Sequence, residues 1–323
     1  MLYPLTFHPR FKERVWGARR LETLYQKPLP PGKVIGESWE ISDRPGDASV
    51  IANGPLAGKD LRWLMEHHAA ALLGTARPQG KLFPLLIKIL DAQDKLSLQV
   101  HPPAALAPQL GGEPKTEMWY FAQTETGADV YAGLKRGVTR AEFERKIATG
   151  EVGECFHRLA VKPGDALFLP SGRVHAIGAG NVIFEIQQNS DTTYRVFDWN
   201  RVGLDGQPRE LHVADALASI DFADFEPALA AATPVAGANH TARALVNDPL
   251  FAVTEISLRA NDYALPELSR PQIIAVVQGD LTIRAAGHTE ALRPGQFCLL
   301  PAELRTATLT GGAPVKFLQI VPA

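Results

Sequence analysis

The chain has 323 residues, of which 46% are hydrophobic and 21% charged, ordinary proportions for a globular protein of one large or two average domains. Its formal net charge of −2 provides no basic surface of the kind that attracts nucleic acid or anionic membranes. Cys155 and Cys298 are too few for a disulfide framework, which fits a reducing compartment. The sequence shows neither an apolar run of spanning length nor a signal-peptide pattern. We therefore expect a cytoplasmic protein without nucleic-acid or membrane partners.

The first part of the chain has strand and helix patterns in alternation. Residues 1–55 contain short apolar runs broken by Pro and Gly, which predict strands and turns, with a short helix in ARRLETLY. Residues 56–74 have apolar side chains at helical spacing and a natural stop at Gly74. The apolar stripe consists of Leu61, Leu64, Met65, Leu72 and Leu73. The neighbouring His67 and His68 cannot share one helix face, so they do not predict a metal site.

Two strand-like runs, LSLQVH and KTEMWYF, place polar side chains beside apolar ones. Because side chains two positions apart in a strand share a face, Ser97, Gln99 and His101 point the same way. Lys115 and Glu117 share a face for the same reason. A polar row beside a buried apolar run is costly unless something occupies it, and Gln, His and Glu are all accepted metal ligands. These runs predict the first half of a metal site.

The segment PGDALFLPSGRVH supplies a second half. Turns at Pro163-Gly164 and Ser171-Gly172 enclose the short apolar strand ALFLP, and His175 follows the second turn. The spacing is Gly, five residues, Pro, one residue, Gly, two residues, His. This spacing resembles the second signature motif of the cupin β-barrels, whose His ligates a metal at the barrel mouth.

The first cupin motif normally has His-x-His, and Gln99-x-His101 stands in its place here. With LSLQVHP, KTEMWYF, GDALFLPSGRVHAI and FEIQQNSDTTYRVFDW in this order, the chain resembles the type I phosphomannose isomerases. The resemblance extends from Trp16-Gly17 to about Trp199. It implies an enzyme that interconverts mannose 6-phosphate and fructose 6-phosphate with one zinc ion per chain.

The resemblance also implies the roles of individual residues. The metal ligands would be Gln99, His101, Glu117 and His175. Trp16, Ser97, Lys115 and Glu185 would line the substrate pocket, and Arg195 would be catalytic. From the sequence alone, a packed aromatic is the favoured interpretation of Trp16 and a surface ion pair that of Arg195. Beside the other motifs, the catalytic role is favoured for Arg195.

The residue types themselves favour an anionic substrate. With a neutral Gln99 and neutral histidines, Glu117 supplies the only negative ligand charge, so a divalent ion would keep about one positive charge and act as a Lewis acid. Lys115 and Arg195 add cations suited to a phosphorylated or enediolate-like anion. Moving a proton between C1 and C2 also needs a base, for which Glu185, His101 and Lys115 are all candidates.

Further elements follow in chain order. Residues 138–150 predict a helix with Thr139 as N-cap, Glu142 completing a capping box and Gly150 as its end. Gly178-x-Gly180 lacks the βαβ surroundings of a dinucleotide loop. Residues 182–199 predict two strands around a turn, and residues 210–220 a short helix.

The C-terminal part is predicted to repeat the pattern without the metal site. Residues 225–240 shift to Ala and Pro, as at a domain boundary. LRPGQFCLLPAELRTAT then follows the layout of VKPGDALFLPSGRVHAI, with Thr306 at the position of His175. We therefore expect a mainly β protein of two cupin-type jelly-roll barrels with a few short helices. Residues 1–232 would form the catalytic domain, and residues 233–323 a degenerate barrel without metal ligands.

Other functions stay open at this point. A different cupin metalloenzyme, such as an Fe(II) dioxygenase or another sugar isomerase, would use the same barrel, although such enzymes usually have His-x-His. A non-catalytic sugar-binding cupin is a further alternative. The chain is too short for the large helical insertion of eukaryotic relatives, so it resembles the compact bacterial form, and its substrate range and its state as monomer or homodimer are not specified.

Overall fold

A computed structural model of the protein describes residues 1–259, 262–265, 268–312 and 314–323. Strands dominate these residues, which confirms the mainly β prediction. The described helices are short, and none of them is both long and apolar enough to cross a membrane.

The first pair of sheets is built from residues 10–197. A six-stranded sheet has the order β10-β7-β12-β5-β3-β2, and a five-stranded sheet has the order β13-β6-β11-β8-β9, with antiparallel neighbours. A small sheet pairs β1 with β4. The strands are β1 (Phe7–His8), β2 (Arg10–Ala18), β3 (Ile35–Ile41), β4 (Val50–Ile51), β5 (Leu85–Ala92), β6 (Leu98–Val100), β7 (Glu117–Thr124), β8 (Asp129–Leu134), β9 (Phe156–Ala160), β10 (Ala166–Leu169), β11 (His175–Ile177), β12 (Asn181–Gln188) and β13 (Tyr194–Phe197).

A second pair of sheets follows in residues 235–322. Its six-stranded sheet has the order β14-β15-β16-β23-β18-β21, and its four-stranded sheet the order β17-β22-β19-β20. The strands are β14 (Val235–Ala236), β15 (His240–Asn247), β16 (Phe251–Leu258), β17 (Asp262–Ala264), β18 (Gln272–Gln278), β19 (Leu281–Ala285), β20 (His288–Leu292), β21 (Phe297–Leu300), β22 (Thr308–Gly311) and β23 (Val315–Pro322).

Most predicted helices are present within narrower bounds. The helices are α1 (Arg20–Tyr25), α2 (Leu61–His67), α3 (Ala69–Leu73), α4 (Arg140–Thr149) and α5 (Val213–Ser219). The helix predicted over residues 56–74 begins at Leu61, because Asp60 is its N-cap and accepts a hydrogen bond from the Trp63 amide. It is also interrupted at His68, which divides it into α2 and α3.

Helix α4 confirms the predicted capping residues. The Thr139 side chain accepts a hydrogen bond from the Glu142 amide, and Gly150 ends the helix with a φ of 76°. A left-handed backbone at this position favours glycine, since the Cβ atom of any other residue would be crowded by the backbone.

The two pairs of sheets have matching strand orders. The six-stranded sheet of the first pair has the order β10-β7-β12-β5-β3-β2. Read from its other edge, that of the second pair has the corresponding order β21-β18-β23-β16-β15-β14. The registers agree as well, because Glu117 lies opposite Leu169 as Gln272 lies opposite Leu300. This correspondence supports two barrels of common design, while the boundary between residues 232 and 233 stays a prediction.

The six-stranded sheets of the two halves also pack against each other. One apolar cluster joins Ile87 and Phe184 of the first half to Phe251 and Ile320 of the second. A separate cluster, which includes Leu309 and Phe317, fills the space between the two C-terminal sheets. In the N-terminal half an apolar cluster that includes Trp119 and Ile177 also lies between the sheets, and buried polar side chains such as Glu117 and His175 lie beside it.

Candidate metal centre and active-site cleft

Three acidic and imidazole side chains converge between the sheets of the N-terminal half. His101 follows β6, Glu117 begins β7 and His175 begins β11, and one ligand atom from each lies within 4.8 Å of the others. Gln99 joins them because it lies directly opposite His175 across the β6–β11 pair. All three titratable side chains are buried. The structure thus brings together the four residues that the sequence predicts as metal ligands.

Backbone carbonyls orient both histidine rings. Nδ1 of His101 lies 2.8 Å from the Thr192 carbonyl oxygen, and Nδ1 of His175 lies 3.0 Å from that of Arg173. A carbonyl only accepts, so each Nδ1 must carry the proton and each Nε2 is the unprotonated nitrogen of its ring. The Nε2 atoms lie 3.5 and 3.4 Å from the two carboxylate oxygens of Glu117. The rings are held as metal-ligating imidazoles usually are.

The Glu117 carboxylate is the negative centre of this group. It is fully buried, and its Oε2 lies 2.8 Å from Nζ of Lys115. Neither oxygen has a hydrogen bond of good geometry from the described residues. Burial raises the pKa of a carboxyl, but the Lys115 ammonium outweighs this and holds the pKa of Glu117 well below its usual range. A buried, ionised carboxylate with unfilled oxygens fits a cation.

The histidines are neutral at physiological pH. Burial, reinforced by the Lys115 ammonium, lowers the pKa of His101 to about 3. Burial also lowers the pKa of His175, against the opposing charge of Glu117. Neutral imidazoles and an ionised carboxylate are the protonation states that a divalent metal needs. The donor set therefore fits zinc or a similar ion.

Gln99 connects His175 to the polar side chains that line the cleft. Its amide nitrogen lies 3.3 Å from Nε2 of His175, and its oxygen accepts a hydrogen bond of 3.2 Å from the Ser97 hydroxyl. The Ser97 hydroxyl in turn accepts a hydrogen bond of 3.2 Å from Nε of Arg195. A continuous polar chain therefore runs from His175 to Arg195.

Ser97, Gln99 and Arg195 border a cleft of about 590 Å³. The residues predicted to line the substrate pocket and to act in catalysis all contribute to it, namely Trp16, Ser97, Lys115, Glu185 and Arg195. Trp16 is both a packed aromatic and a cleft residue, since it belongs to an apolar cluster and is only 4% exposed. The cleft lies within the usual size range for small-molecule sites.

Arg195 differs from the other cations of the cleft in its partners. Its guanidinium donates to the Ser97 hydroxyl and, at 2.8 Å, to the Glu210 carbonyl oxygen. Among the described residues, no carboxylate forms an ion pair with it. Burial and the nearby Arg209 lower the pKa of Arg195, although an arginine stays charged at neutral pH. Its charge is therefore available to an anionic ligand.

Sequence reasoning missed a row of charges beside Glu185. Nζ of Lys88 lies 3.3 Å from a Glu185 oxygen and 3.7 Å from a Glu37 oxygen, and Arg14 contacts the other oxygen of Glu37 at 2.6 Å. The indole of Trp119 donates to Glu185 at 3.0 Å. Lys88 within the apolar run FPLLIKILDA was the available signal, because a charge in a buried strand needs a partner.

A hairpin at one edge of the cleft was also missed. Gly203, Leu204, Asp205 and Arg209 line the cleft from this hairpin. Arg209 is held by Asp198 at distances of 2.5 and 2.6 Å. The hairpin is closed by a bridge between Val202 and Pro208, and no sequence motif predicts its contact with the cleft, because that contact depends on how the chain folds back after β13.

The facing sheets, with Gln99 beside the buried His101, Glu117 and His175, define an enzyme of the cupin class with a candidate metal site. Residues 5–124 match the family described as phosphomannose isomerase type I, catalytic domain. The chain is 35% identical to the probable mannose-6-phosphate isomerase GmuF of Bacillus subtilis over 96% of its own length and 97% of that protein.

Solved structures agree. The mannose 6-phosphate isomerase of Bacillus subtilis superposes with a TM-score of 0.90 at 30% identity and covers 99% of both chains. A mannose 6-phosphate isomerase bound with zinc and yttrium has the same fold, with a TM-score of 0.76 at 18% identity, over 99% of this chain and all of that one. The chain belongs to the type I phosphomannose isomerase family.

Proposed function

We propose that this protein is a metal-dependent aldose–ketose isomerase that interconverts mannose 6-phosphate and fructose 6-phosphate through an enediolate. The observation that supports this most is the buried Glu117 carboxylate between two oriented imidazoles, next to Gln99 and Lys115, which line a cleft together with Arg195. The family membership supports the same reaction.

Gln99, His101, Glu117 and His175 would hold one zinc ion per chain. Zinc is proposed because neutral nitrogen donors and one carboxylate suit it, and because a relative of the same fold is bound with zinc. When bound, the ion would supply Lewis acidity towards an oxygen of the substrate. The four side chains need no protonation change to accept it, since their protonation states are already those of ligands.

Arg195 would stabilise the negative charge that develops during the reaction. Its guanidinium borders the cleft and has no carboxylate partner among the residues that the structure describes. A preorganised cation at a developing oxyanion lowers the barrier because it needs little reorganisation. The Lys115 ammonium is paired with Glu117. It would add positive potential at the same oxyanion and would contact substrate hydroxyls.

Glu185 is the best placed of the three candidate bases. Both histidines direct Nε2 to the metal position, and Lys115 is committed to Glu117. Burial, together with the negative charge of Glu117, raises the pKa of Glu185. A carboxylate whose pKa is raised accepts a proton more readily than an ordinary carboxylate, which is what a general base must do. Glu185 would therefore carry the proton between C1 and C2, while Trp16 and Ser97 position the sugar.

A coupled assay tests the proposal directly. Fructose 6-phosphate formed from mannose 6-phosphate would be measured before and after chelation, with metal analysis on the same sample. We expect turnover that chelation abolishes and zinc restores. Absence of turnover with one metal bound per chain would refute the reaction, and unphosphorylated sugars would then be screened for the other cupin chemistries.

The remaining expectations concern the setting of the enzyme. We expect a sugar phosphate as its ligand, a cytoplasmic location, and a monomer or homodimer that binds neither nucleic acid nor membrane. Size-exclusion chromatography coupled to light scattering distinguishes the two oligomeric states.

A further inference from the structure

A second cavity, of about 310 Å³, lies between the N-terminal and C-terminal halves. We call it the rear cavity. Its lining includes Phe7, Tyr25, Lys27 and Glu40 from the N-terminal half, and Ala291 and Phe297 from the C-terminal half. It shares no lining residue with the active-site cleft. Its volume is near the lower end of the range for small-molecule sites, roughly 300–1,000 Å³.

The sheet that contains β3 separates the rear cavity from the cleft. Alternate side chains of a strand point to opposite faces, so Glu37 borders the cleft while Glu40 borders the rear cavity. The side chains of β12 alternate between the two faces in the same way. Glu185 faces the cleft, and Phe184 packs against Tyr25 and Phe297 at ring-centroid distances of 5.9 and 5.4 Å.

The rear cavity has a buried ion pair at its wall. Nζ of Lys27 lies 2.7 Å from an oxygen of Glu40, and the two side chains are 7% and 5% exposed. The hydroxyl of Ser38 donates to the other Glu40 oxygen. Burying such a pair costs desolvation free energy, which the attraction between the two charges scarcely offsets. Packing of the fold alone therefore does not explain why the pair is buried at this wall.

The Lys27 ammonium retains unused hydrogen-bonding capacity. An ammonium has three N–H donors, and within the described ranges Glu40 is the hydrogen-bond acceptor that Lys27 reaches. Donors left over beside an apolar cavity would suit a ligand with oxygen acceptors. The aromatic rings of Phe7, Tyr25 and Phe297 offer flat apolar surface next to these donors.

The charges of the cavity decide the class of ligand. Lys27 is neutralised by Glu40, and Glu290 adds a further negative charge to the lining. An anion would therefore meet no net positive charge, and like charges at close range oppose binding. A neutral polyhydroxylated molecule would bond the ion pair through its hydroxyls and pack its C–H face on the aromatic rings.

We propose that the rear cavity is a second ligand site, which takes a neutral monosaccharide or polyol between the two halves of the protein. The site is distinct from the metal centre and gives the C-terminal half a direct share in ligand binding. It does not depend on the reaction proposed for the cleft.

Calorimetric titration of the zinc-loaded protein tests this site. The probe is 1,5-anhydro-D-mannitol, a pyranose without an anomeric hydroxyl, which cannot open to the reactive aldehyde. Ala291→Trp fills the cavity from an exposed position, and Thr289→Trp, two residues earlier on β20 and outside the lining, is the matched control. Ala52→Trp fills the cavity from another segment and replaces Ala291→Trp if that variant does not fold.

We expect the wild type and Thr289→Trp to bind the probe equally, and the cavity-filling variant to bind it at least about tenfold more weakly. All three should isomerise mannose 6-phosphate at the same rate, because none of the changes touches the cleft. Equal binding by all three, or no binding by the wild type, would overturn the proposal. Inorganic phosphate binding that the filling variant removes would overturn the assigned ligand class.

Discussion

The two halves of this protein share a strand order but differ in what lies between their sheets. In the N-terminal half, Gln99 and His175 lie opposite each other on β6 and β11. In the C-terminal half the corresponding strands pair Tyr263 with Leu309, and Leu309 belongs to a fully apolar cluster. Corresponding strands of the two halves therefore carry different side chains, with candidate metal ligands in the N-terminal half and apolar residues in the C-terminal half.

The difference extends to the position of the acidic ligand. Glu117 and Gln272 occupy the same register position opposite β10 and β21. Gln272 accepts a hydrogen bond of 2.6 Å from Gln319, so its oxygen is already used. Among the described residues, the group formed by His101, Glu117 and His175 is the cluster suited to a metal ion. The following changes test this contrast, from the largest expected effect to the smallest.

Replacing the acidic ligand should remove both metal and activity. In Glu117→Ala the site loses its only negative charge, and we expect less than one tenth of the wild-type zinc content and a loss of activity of at least about a thousandfold. Metal analysis and the coupled assay on the same sample measure both. His175→Ala should behave in the same way.

Gln272→Ala is the matched control in the C-terminal half. It should leave zinc content and activity at wild-type values. Full zinc occupancy in Glu117→Ala would show that the ligand assignment is wrong.

Replacing Arg195 should separate metal binding from turnover. In Arg195→Ala we expect normal zinc content and a loss of kcat of about 10²–10³-fold, since a preorganised charge is removed from the cleft but not from the metal ligands. Steady-state kinetics with metal analysis measures the two effects. Arg158→Ala, an exposed partner of Asp129 outside the cleft, is the control. A wild-type kcat in Arg195→Ala would exclude Arg195 from the mechanism.

A cavity in the C-terminal half should affect stability alone. Leu309 is fully buried, so Leu309→Ala is expected to lower the free energy of unfolding by about 2–5 kcal/mol without changing KM or zinc content. Ile177→Ala on the corresponding strand β11 should cost a similar amount and also weaken zinc binding, because Ile177 is two residues from His175. Urea denaturation and metal analysis distinguish them. A changed KM in Leu309→Ala would mean that the halves are coupled.

Glu37 should give the N-terminal half a specific pH dependence of stability. Burial opposes its ionisation, but Lys88 and Arg14 prevail and lower its pKa to about 2, from 4.5. A carboxyl with a lowered pKa stabilises the fold above its unfolded pKa and loses that contribution as the pH falls towards 2. At pH 7, Glu37→Gln should therefore lower the free energy of unfolding by about 3 kcal/mol.

Urea denaturation between pH 7 and pH 2 measures this effect. The difference in the free energy of unfolding between wild type and Glu37→Gln should shrink from about pH 4.5 downward and vanish near pH 2. Glu22→Gln, which removes an exposed pair with Arg19, should change the free energy of unfolding by less than about 1 kcal/mol. A pH-independent difference for Glu37→Gln would show that packing, not charge, is lost.

The sequence by itself determined the features that depend on local chemistry. The alternation of side chains in LSLQVH and KTEMWYF predicted that Gln99, His101 and Glu117 face the candidate metal site. The turn glycines around ALFLP predicted the position of His175. Thr139 and Gly150 predicted the ends of α4, because caps are satisfied within a few residues of chain. These signals are short-range, so a single sequence contains them.

Only the tertiary structure decided the features made by distant segments. Lys88 forms ion pairs with Glu37 and Glu185 on neighbouring strands, and no spacing along the chain predicts these pairs. The rear cavity exists because the segments around Lys27 and Phe297 meet across the two halves. Strand registers and the packing of sheets create such sites, since they join residues that the sequence separates by tens or hundreds of positions.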